Sequence, residues 1–292
     1  MDCRLTSPSA TLQINMETFT HRRALSAFAG DALAGRHVLV VGAGQAASDE
    51  VALVGNGRAI SLALAGRGAF VHCADRDPTA AQATVSAIES AGGQARPIVA
   101  DVSNPADCRR LVDEAVQGAP LHALVLNVGI SDRRPLPDIT PVSWDAILQV
   151  NLRAHMLCAQ AALPRMQSGG AIVFISSLAA RMAAGRNPAY ETSKAALSAL
   201  SRAVALEGHE RGIRANIVAA GLVDTPMGRA ASQARPERGR MPLPFGRQAT
   251  GWDIAAAVVF LVSDAGQYVN AIELPVDGGL GHGIALTPRT GT

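Results

Sequence analysis

The sequence predicts an α/β protein, a single domain with one doubly wound parallel sheet of about seven strands and helices on both faces. Short, nearly continuous apolar runs alternate with Ala-rich helical segments along most of the chain, and strands that are buried on both faces have this pattern. The chain has 292 residues, of which 48% are hydrophobic, enough for one large core. Right-handed crossovers between such strands give a Rossmann-type sheet, whose ligands bind beyond the carboxyl ends of the strands.

The apolar runs locate the strands, and the segments between them locate the helices. The predicted strands are 37–42, 69–74, 95–100, 121–127, 170–176, 213–219 and 271–276. The predicted helices lie near 57–66, 79–92, 105–117, 141–166, 188–211 and 251–264. Residues 1–35 are weakly patterned and are interpreted as an N-terminal extension, within which 21–35 is compatible with a short helix. Residues 36–292 form the predicted domain.

Charge and composition exclude several classes of function. The formal net charge is +2 and the basic residues are scattered, which argues against nucleic acid or a membrane surface as a partner. Apolar runs fall short of the ~18 residues that cross a bilayer, and the seven histidines show no metal-ligand spacing. We therefore expect a cytoplasmic protein without a metal. Four widely separated cysteines are interpreted as reduced, mostly buried thiols: Cys3, Cys73, Cys108 and Cys158.

Two glycine pairs stand close together after the first predicted strand: Gly42 with Gly44, and Gly55 with Gly57. A dinucleotide-binding turn uses glycines so that backbone amides approach a pyrophosphate at a helix N-terminus. An acidic residue about 20 positions further on binds the ribose hydroxyls. Asp75 lies 20 residues after Gly55 but 33 after Gly42. The spacing predicts that the second pair opens the helix, that the first pair ends the strand, and that residues 46–54 are an insertion.

A rival register is open for this turn. The letters "GAGQAA" fit G-x-G-x-x-A, which would start the helix at Gln45, although that helix would run through the second glycine pair, a poor helix interior. We favour the insertion. Inside it, Asp49 and Glu50 would repel a pyrophosphate if they faced it, so we expect them to face solvent. The apolar residues of the insertion are expected to pack against the protein: Val51, Leu53 and Val54.

Asp75 favours NAD over NADP. Its carboxylate would accept hydrogen bonds from two free ribose hydroxyls and repel a 2′-phosphate. Arg76 follows directly and would accommodate a phosphate, although a solvated loop charge is the simpler explanation. Polar or glycine-containing ends also follow the third and fourth predicted strands, each equally compatible with a cap or turn: Asp101-Val102 and Asn127-Val128-Gly129.

Tyr190 and Lys194 are four residues apart in "AYETSK" and therefore share one face of the predicted helix. A nearby ammonium stabilises a phenolate and lowers the pKa of a tyrosine from its usual value near 10. Such a pair exchanges a proton with an alcohol or ketone near neutral pH. The alternative is a tyrosine that packs on a lysine stem. The chain has two tyrosines and one lysine, so this spacing arises by chance in roughly two of 290 placements.

Two further polar residues are candidates for the same site. Ser177 ends the fifth predicted strand, 13 residues before Tyr190, where its hydroxyl would hold a substrate oxygen or simply cap a turn. Asn151 falls inside a predicted helix, where an amide is mildly unfavourable. It either faces solvent or bonds inward and positions water or Lys194.

The motifs follow one another along residues 36–281 in a characteristic order: the glycine pairs, Asp75, Asp101-Val102, Asn127 with Gly129, Asn151, Ser177, Tyr190 with Lys194, "NIVAAGLVDTPM" and "LPVDGG". In this order they resemble the short-chain dehydrogenase/reductase family. The resemblance implies an NAD(P)-dependent oxidoreductase that interconverts a secondary alcohol and a ketone. It implies Tyr190 as general acid/base and Lys194 as the residue that lowers its pKa and holds the nicotinamide ribose. Ser177 would bind the reacting oxygen, and Asn151 would support a proton relay. The expected cofactor-binding residues are Gly42, Gly44, Gly55, Gly57, Asp75, Arg76, Asp101, Val102, Asn127, Gly129, Tyr190, Lys194, Val223 and Thr225.

The resemblance also implies a small-molecule substrate, a homotetramer or homodimer, and a lid at about 226–248. In this lid, four arginines either attract an acidic substrate or are exposed loop charges: Arg229, Arg235, Arg238 and Arg240. Three apolar residues either form a wall of the substrate site or dock the lid: Met241, Leu243 and Phe245.

Three features depart from the family's pattern: the insertion, Leu126-Asn127-Val128-Gly129 in place of Asn-Asn-Ala-Gly, and Ala220-Gly221 in place of Pro-Gly. An insertion that blocks the pyrophosphate would favour the alternative function, a nucleotide-binding regulatory or scaffold subunit of the same fold without turnover.

Overall fold

The computed structural model describes residues 30–46, 53–182, 187–234 and 242–284. Its strands are β1 (His37–Val41), β2 (Phe70–Asp75), β3 (Gln94–Val99), β4 (Leu121–Leu126), β5 (Met166–Ser177), β6 (Arg214–Ala220), β7 (Val223–Asp224), β8 (Ala249–Thr250) and β9 (Glu273–Val276). Seven of them form a parallel sheet of order β3-β2-β1-β4-β5-β6-β9, and β7 pairs with β8. The strand order reverses between β1 and β4, and ligands bind at this reversal in doubly wound sheets.

Helices cover both faces of the sheet. They are α1 (Asn56–Ala65), α2 (Pro78–Ser90), α3 (Pro105–Ala115), α4 (Pro141–Leu148), α5 (Ala154–Ala162), α6 (Pro188–Gly208), α7 (Pro226–Ala234) and α8 (Gly251–Val262), with a π-helical segment, Gln149–Arg153, between α4 and α5. Helices α3, α5 and α6 contribute to one apolar cluster, and α1, α2 and α8 contribute to the other. Proline at the first turn and a side-chain cap begin α2 and α3, where Asp77 and Asn104 accept backbone hydrogens.

The central strands explain why the sequence shows continuous apolar runs rather than alternation. Every residue of β4 and β6 is buried, because both faces of these strands are covered by helices. Within β4, Leu124 packs into one cluster and Val125 into the other. The doubly wound fold and all seven predicted strands are therefore confirmed.

The helix predicted over 141–166 is wrong in its middle and at its end. Residues 149–153 are π-helical, a short 3₁₀ turn contains Pro164, and β5 begins at Met166. Proline lacks the amide hydrogen that an α-helix needs. Helix α7 was not predicted. Residues 30–35 form turns, and the rest of the short helix considered for 21–35 lies outside the described residues.

The cysteine interpretation holds where it can be examined. Cys73, Cys108 and Cys158 are buried free thiols, whereas Cys3 lies outside the described residues. Within the described ranges, no helix combines the length and the apolar character needed to cross a membrane.

Three buried histidines are expected to make the fold sensitive to acid. Burial is the largest cause that lowers the pKa of His72 to about 3, of His122 to about 4 and of His155 to about 3, from an ordinary value of 6.5. His72 accepts a hydrogen bond from Arg96 Nε at 2.9 Å through its Nδ1, so protonation would break that bond. The unfolded chain binds protons below about pH 6.5 that the folded chain binds only near pH 3–4.

We therefore expect the free energy of unfolding to be highest above pH 6.5 and to fall as the pH falls below it. Each of these histidines contributes a loss of roughly 1.4 kcal/mol per pH unit. Urea-unfolding curves at neutral pH and at about pH 5 measure the loss. His72→Gln should flatten the pH dependence, whereas His209→Gln, at an exposed position, should not. Equal stability at both pH values would contradict the prediction.

Candidate active site

A cavity of about 560 Å³ opens at the carboxyl ends of the strands, where the strand order reverses. Its volume suits a small-molecule site. The predicted site residues that line it include both glycine pairs, Asp75, Asn127, Gly129, Ser177, Tyr190, Lys194, Val223 and Thr225. The sheet therefore brings together residues that lie far apart in the sequence.

The second glycine pair opens α1, as the spacing to Asp75 predicts. Gly55 is the N-cap with φ −71°, and the helix begins at Asn56, so the rival register with a helix start at Gln45 is wrong. A Cβ at Gly57 would lie 1.9 Å from the carbonyl oxygen of Gly42. Gly42 itself has φ +81°, a conformation that favours glycine. The two pairs thus meet in space as one loop.

Gln45 joins the two ends of the insertion. Its Nε2 donates to the Leu53 carbonyl oxygen at 2.9 Å, and its Oε1 accepts from the Gly55 amide at 2.8 Å. Leu53 is buried and Val54 packs against the core, which confirms the expected packing for these two residues. The prediction for Asp49, Glu50 and Val51 lies outside the described residues. Gln45 was missed by sequence reasoning, because its partners are identified only by the folded loop.

Backbone hydrogen bonds hold the Asp75 carboxylate at the rim of the loop. Its Oδ2 accepts from the Gly44 amide at 2.8 Å, and its Oδ1 accepts from the Asp77 amide at 3.1 Å. A Cβ at Gly44 would lie 2.7 Å from Asp75 Oδ2, so glycine is required for this approach. A carboxylate has about four acceptor positions, and two of them stay available to a ligand.

Three other predicted cofactor residues do not line the cavity. Arg76 and Asp101 are exposed, and Val102 is buried in the apolar core. The phosphate contact of Arg76 and the adenine contacts of Asp101 and Val102 stay predictions.

Lys194 lies under Tyr190 on α6. The Lys194 side chain is 3% exposed, and its Nζ donates to the Ile175 carbonyl oxygen at 3.0 Å and lies 5.8 Å from the centre of the Tyr190 ring. Burial lowers the pKa of Lys194 to about 8, so the ammonium is still charged at neutral pH. Ser177, at the end of β5, accepts from the Ala179 amide at 3.2 Å and faces the same cavity.

Asn151 bonds inward, and the alternative of a solvent-facing amide is wrong. The residue is buried in the π-helical segment, a feature frequent at functional sites. Its Oδ1 accepts from the Ile130 amide at 2.8 Å, and its Nδ2 donates to the Ile130 carbonyl at 2.9 Å and to Ser193 Oγ at 3.0 Å. Ser193 Oγ in turn donates to the Tyr190 carbonyl at 2.7 Å. Asn151 thereby ties the segment after β4 to the helix that carries Tyr190.

Gly129 leaves room for this arrangement. A Cβ at this position would lie 3.1 Å from Lys194 Nζ and 3.6 Å from Asn151 Oδ1. The glycine therefore allows the ammonium and the amide to approach the same stretch of backbone.

The predicted lid is described only in part. Arg229 forms a two-pronged ion pair with Asp224 at 2.7 and 3.0 Å, so its charge already has a partner in the protein. Phe245 is 87% exposed and does not line the cavity, so of its two alternatives the wall of the substrate site is wrong. Leu243 is half-buried and also lies outside the cavity lining. The other lid residues named in the sequence analysis lie outside the described ranges: Arg235, Arg238, Arg240 and Met241.

Comparison with known proteins identifies the family. A family model described as enoyl-(acyl carrier protein) reductase matches residues 52–281. A short-chain type dehydrogenase/reductase of Picea abies is 37% identical, over 85% of this chain and 93% of that protein. The chain belongs to the short-chain dehydrogenase/reductase family. Within this family of oxidoreductases, it is an enzyme related to dehydrogenases that act on CH–OH groups.

Two further members show how broad the likeness is. A cyclopentanol dehydrogenase of Comamonas testosteroni is 34% identical, over 80% of this short-chain dehydrogenase/reductase and 97% of that protein. A 7α-hydroxysteroid dehydrogenase, solved with NADH and 7-oxo glycochenodeoxycholic acid, superposes with a TM-score of 0.78 at 29% identity. That likeness covers 86% of this chain and 96% of the other.

Proposed function

We propose that the protein is an NAD(P)-dependent dehydrogenase that interconverts a secondary alcohol and a ketone, with Tyr190 as the general acid/base. The observation that carries the proposal is one cavity lined by Ser177, Tyr190 and Lys194 together with the paired glycines. Cyclopentanol dehydrogenase and the hydroxysteroid dehydrogenase, by their names, act on secondary alcohols.

The described residues fit a nicotinamide dinucleotide. The close approach of Gly57 to Gly42 exposes the N-terminus of α1 to the cavity, as pyrophosphate binding requires. Asn56 Oδ1, at the first residue of α1, is buried without a hydrogen-bond partner among the described residues, and a cofactor hydroxyl or amide would supply one. We assign the adenosine ribose to Asp75 and the carboxamide to Val223 and Thr225. When bound, the nicotinamide supplies hydride transfer to or from the substrate carbon.

The protein's own side chains bind the substrate oxygen and transfer the proton. Ser177 Oγ binds the substrate oxygen, and the Tyr190 hydroxyl takes or gives the proton at that oxygen. The Lys194 ammonium stabilises the phenolate and holds the nicotinamide ribose. Asn151 and Ser193 hold the turn of α6 on which Tyr190 lies. We expect these groups to act as one unit.

A panel of secondary alcohols with NAD and NADP tests the proposal through the absorbance of the reduced nicotinamide. Oxidation of at least one alcohol, and reduction of its ketone, is the expected result. No turnover under either cofactor would overturn the proposal. Tight NAD binding without turnover, measured by calorimetry, would instead indicate the regulatory or scaffold subunit.

The preference for NAD is expected to depend on the Asp75 charge. Asp75→Asn keeps the size of the side chain but removes the repulsion of a 2′-phosphate. We expect kcat/KM for NAD to fall about tenfold and that for NADP to rise, since hydrogen bonds to a charged group are worth about 1.5–3 kcal/mol. Initial rates with each cofactor give kcat/KM for NAD and for NADP, and hence the ratio of the two. An unchanged ratio would show that Asp75 does not select the cofactor.

We further propose a cytoplasmic homodimer or homotetramer in which residues 36–292 form one catalytic domain after an N-terminal extension. The buried free thiols support a reducing compartment. Light scattering on the purified protein measures the oligomeric state.

A further inference from the structure

One wall of the cavity carries an arginine whose charge has no partner within the described part of the chain. Arg133, in the segment between β4 and α4, lines the cavity and is half-buried, yet no described residue forms a hydrogen bond or ion pair with its guanidinium. The neighbouring Arg134 is exposed, lies outside the cavity lining and is 4.0 Å from the Asp132 carboxylate. Removing part of a charge from water is costly unless a partner compensates it, and a ligand in the cavity would supply one.

The backbone at Arg133 is also strained. Its φ is +56°, in the left-handed region that costs an L-residue roughly 1–2 kcal/mol. Such outliers cluster at ligand clamps and active sites, where the surrounding structure maintains them. This strained conformation therefore occurs at a residue that lines the cavity.

Asn187 adds to the same wall an amide oxygen that has no partner in the described part of the chain. It is 4% exposed and lines the cavity three residues before Tyr190. Its Nδ2 donates to Ser131 Oγ at 2.5 Å, whereas its Oδ1 is buried without a partner among the described residues. The Ser131 hydroxyl both donates and accepts hydrogen bonds. If the Asn187 amide rotates by half a turn, its Oδ1 accepts from Ser131 and its Nδ2 presents N–H groups to a ligand.

The other charged group on this wall, Glu191, is already engaged. Its Oε1 accepts from the Asn187 amide at 3.3 Å in the first turn of α6, where a negative charge is favourable. Arg133 is therefore the charged side chain on this wall for which the described residues provide no partner. Apolar side chains also line the cavity: Leu178, Met182, Met227 and Leu280.

We propose that the substrate is a secondary alcohol with an apolar body and an anionic group, such as a carboxylate, and that Arg133 and Asn187 bind this group. The inference rests on the proposed dehydrogenase function and adds the substrate class. A guanidinium and an amide are suited to a carboxylate, because N–H donors bond both oxygens and the charge strengthens the bonds.

Three matched alcohols test the proposal: 5-hydroxyhexanoate, the neutral 5-hydroxyhexanamide and the cationic 6-amino-2-hexanol. The wild-type enzyme should show a kcat/KM for the acid about 10- to 100-fold above that for the amide. Arg133→Gln should bring this ratio close to one, mainly through KM, and Arg133→Lys should retain part of it. The matched control Arg134→Gln should leave the ratio unchanged. Asn187→Ala should also lower the ratio of kcat/KM for the acid to kcat/KM for the amide.

A preference for the amide or the amine, or an acid preference that survives Arg133→Gln, would overturn the proposal while the dehydrogenase function stands. If none of the three alcohols reacts, calorimetric titration of the NAD-loaded protein with hexanoate still tests Arg133. Binding that weakens about tenfold or more in Arg133→Gln but not in Arg134→Gln supports the anion site. Hexanoate affinity that is absent, or equal in wild type and Arg133→Gln, refutes it.

Discussion

Replacing Tyr190 by phenylalanine is expected to lower kcat roughly 10²- to 10⁴-fold, the usual contribution of a positioned general acid/base. The change removes the hydroxyl that exchanges the proton with the substrate oxygen but keeps the ring that lies over Lys194. Affinity for NAD should fall far less than kcat, because the glycine loop and Asp75 are untouched. Steady-state rates and calorimetric titration measure the two effects.

The chain's other tyrosine supplies a matched control. Tyr268 is fully exposed and lies outside the cavity lining, so Tyr268→Phe should leave kcat and KM unchanged. Should Tyr190→Phe keep more than about a tenth of the wild-type kcat, proton transfer would need another donor. A parallel loss of kcat and of NAD affinity would instead indicate damage to the fold.

Replacing Gly57 by alanine is expected to disrupt both the fold near α1 and cofactor binding. The new Cβ would lie 1.9 Å from the Gly42 carbonyl oxygen and 2.9 Å from Asn127 Nδ2. Asn127 Nδ2 already donates to this oxygen at 2.7 Å, so a shift of either group would disturb that hydrogen bond. Overpacking of this kind costs about 1–3 kcal/mol, and a displaced α1 should weaken NAD binding by tenfold or more, about 1.4 kcal/mol. Thermal unfolding and calorimetric titration measure these losses.

Gly55→Ala is the control for stability. The nearest atom to a Cβ at Gly55 is Gln45 Cγ at 3.6 Å, and the residue has φ −71°, which alanine adopts without strain. Its free energy of unfolding should change by less than about 1 kcal/mol. If Gly57→Ala matched Gly55→Ala in stability and kept wild-type NAD affinity, the close packing of the two glycine pairs would have no functional role.

Much of the site follows from local patterns. The four-residue spacing of Tyr190 and Lys194 determines that they share a helix face, whatever the rest of the chain does. The 20-residue distance from Gly55 to Asp75 selects the correct register of the interrupted loop, because one helix and one strand span a nearly constant length. Apolar runs likewise predict the strands that end at the cavity.

Other parts of the site depend on packing between distant segments. Gln45 shows no recognisable pattern in the sequence, and its bonds to Leu53 and Gly55 exist only because the residues at the two ends of the insertion lie close together. The choice for Asn151 between solvent and an inward bond also stays open in the sequence. It is decided by the segment at Ile130, which packs against the π-helical turn.

The sequence by itself therefore determined the sheet, the register of the glycine loop and the Tyr190–Lys194 pair, since these depend on periodicity and spacing along one chain segment. Only the tertiary structure placed Arg133 beside the cavity and left one amide atom of Asn187 without a partner among the described residues. These two residues lie on different elements, 54 positions apart. Whether such side chains share a wall, and which of their polar atoms find partners, is decided by how the elements pack.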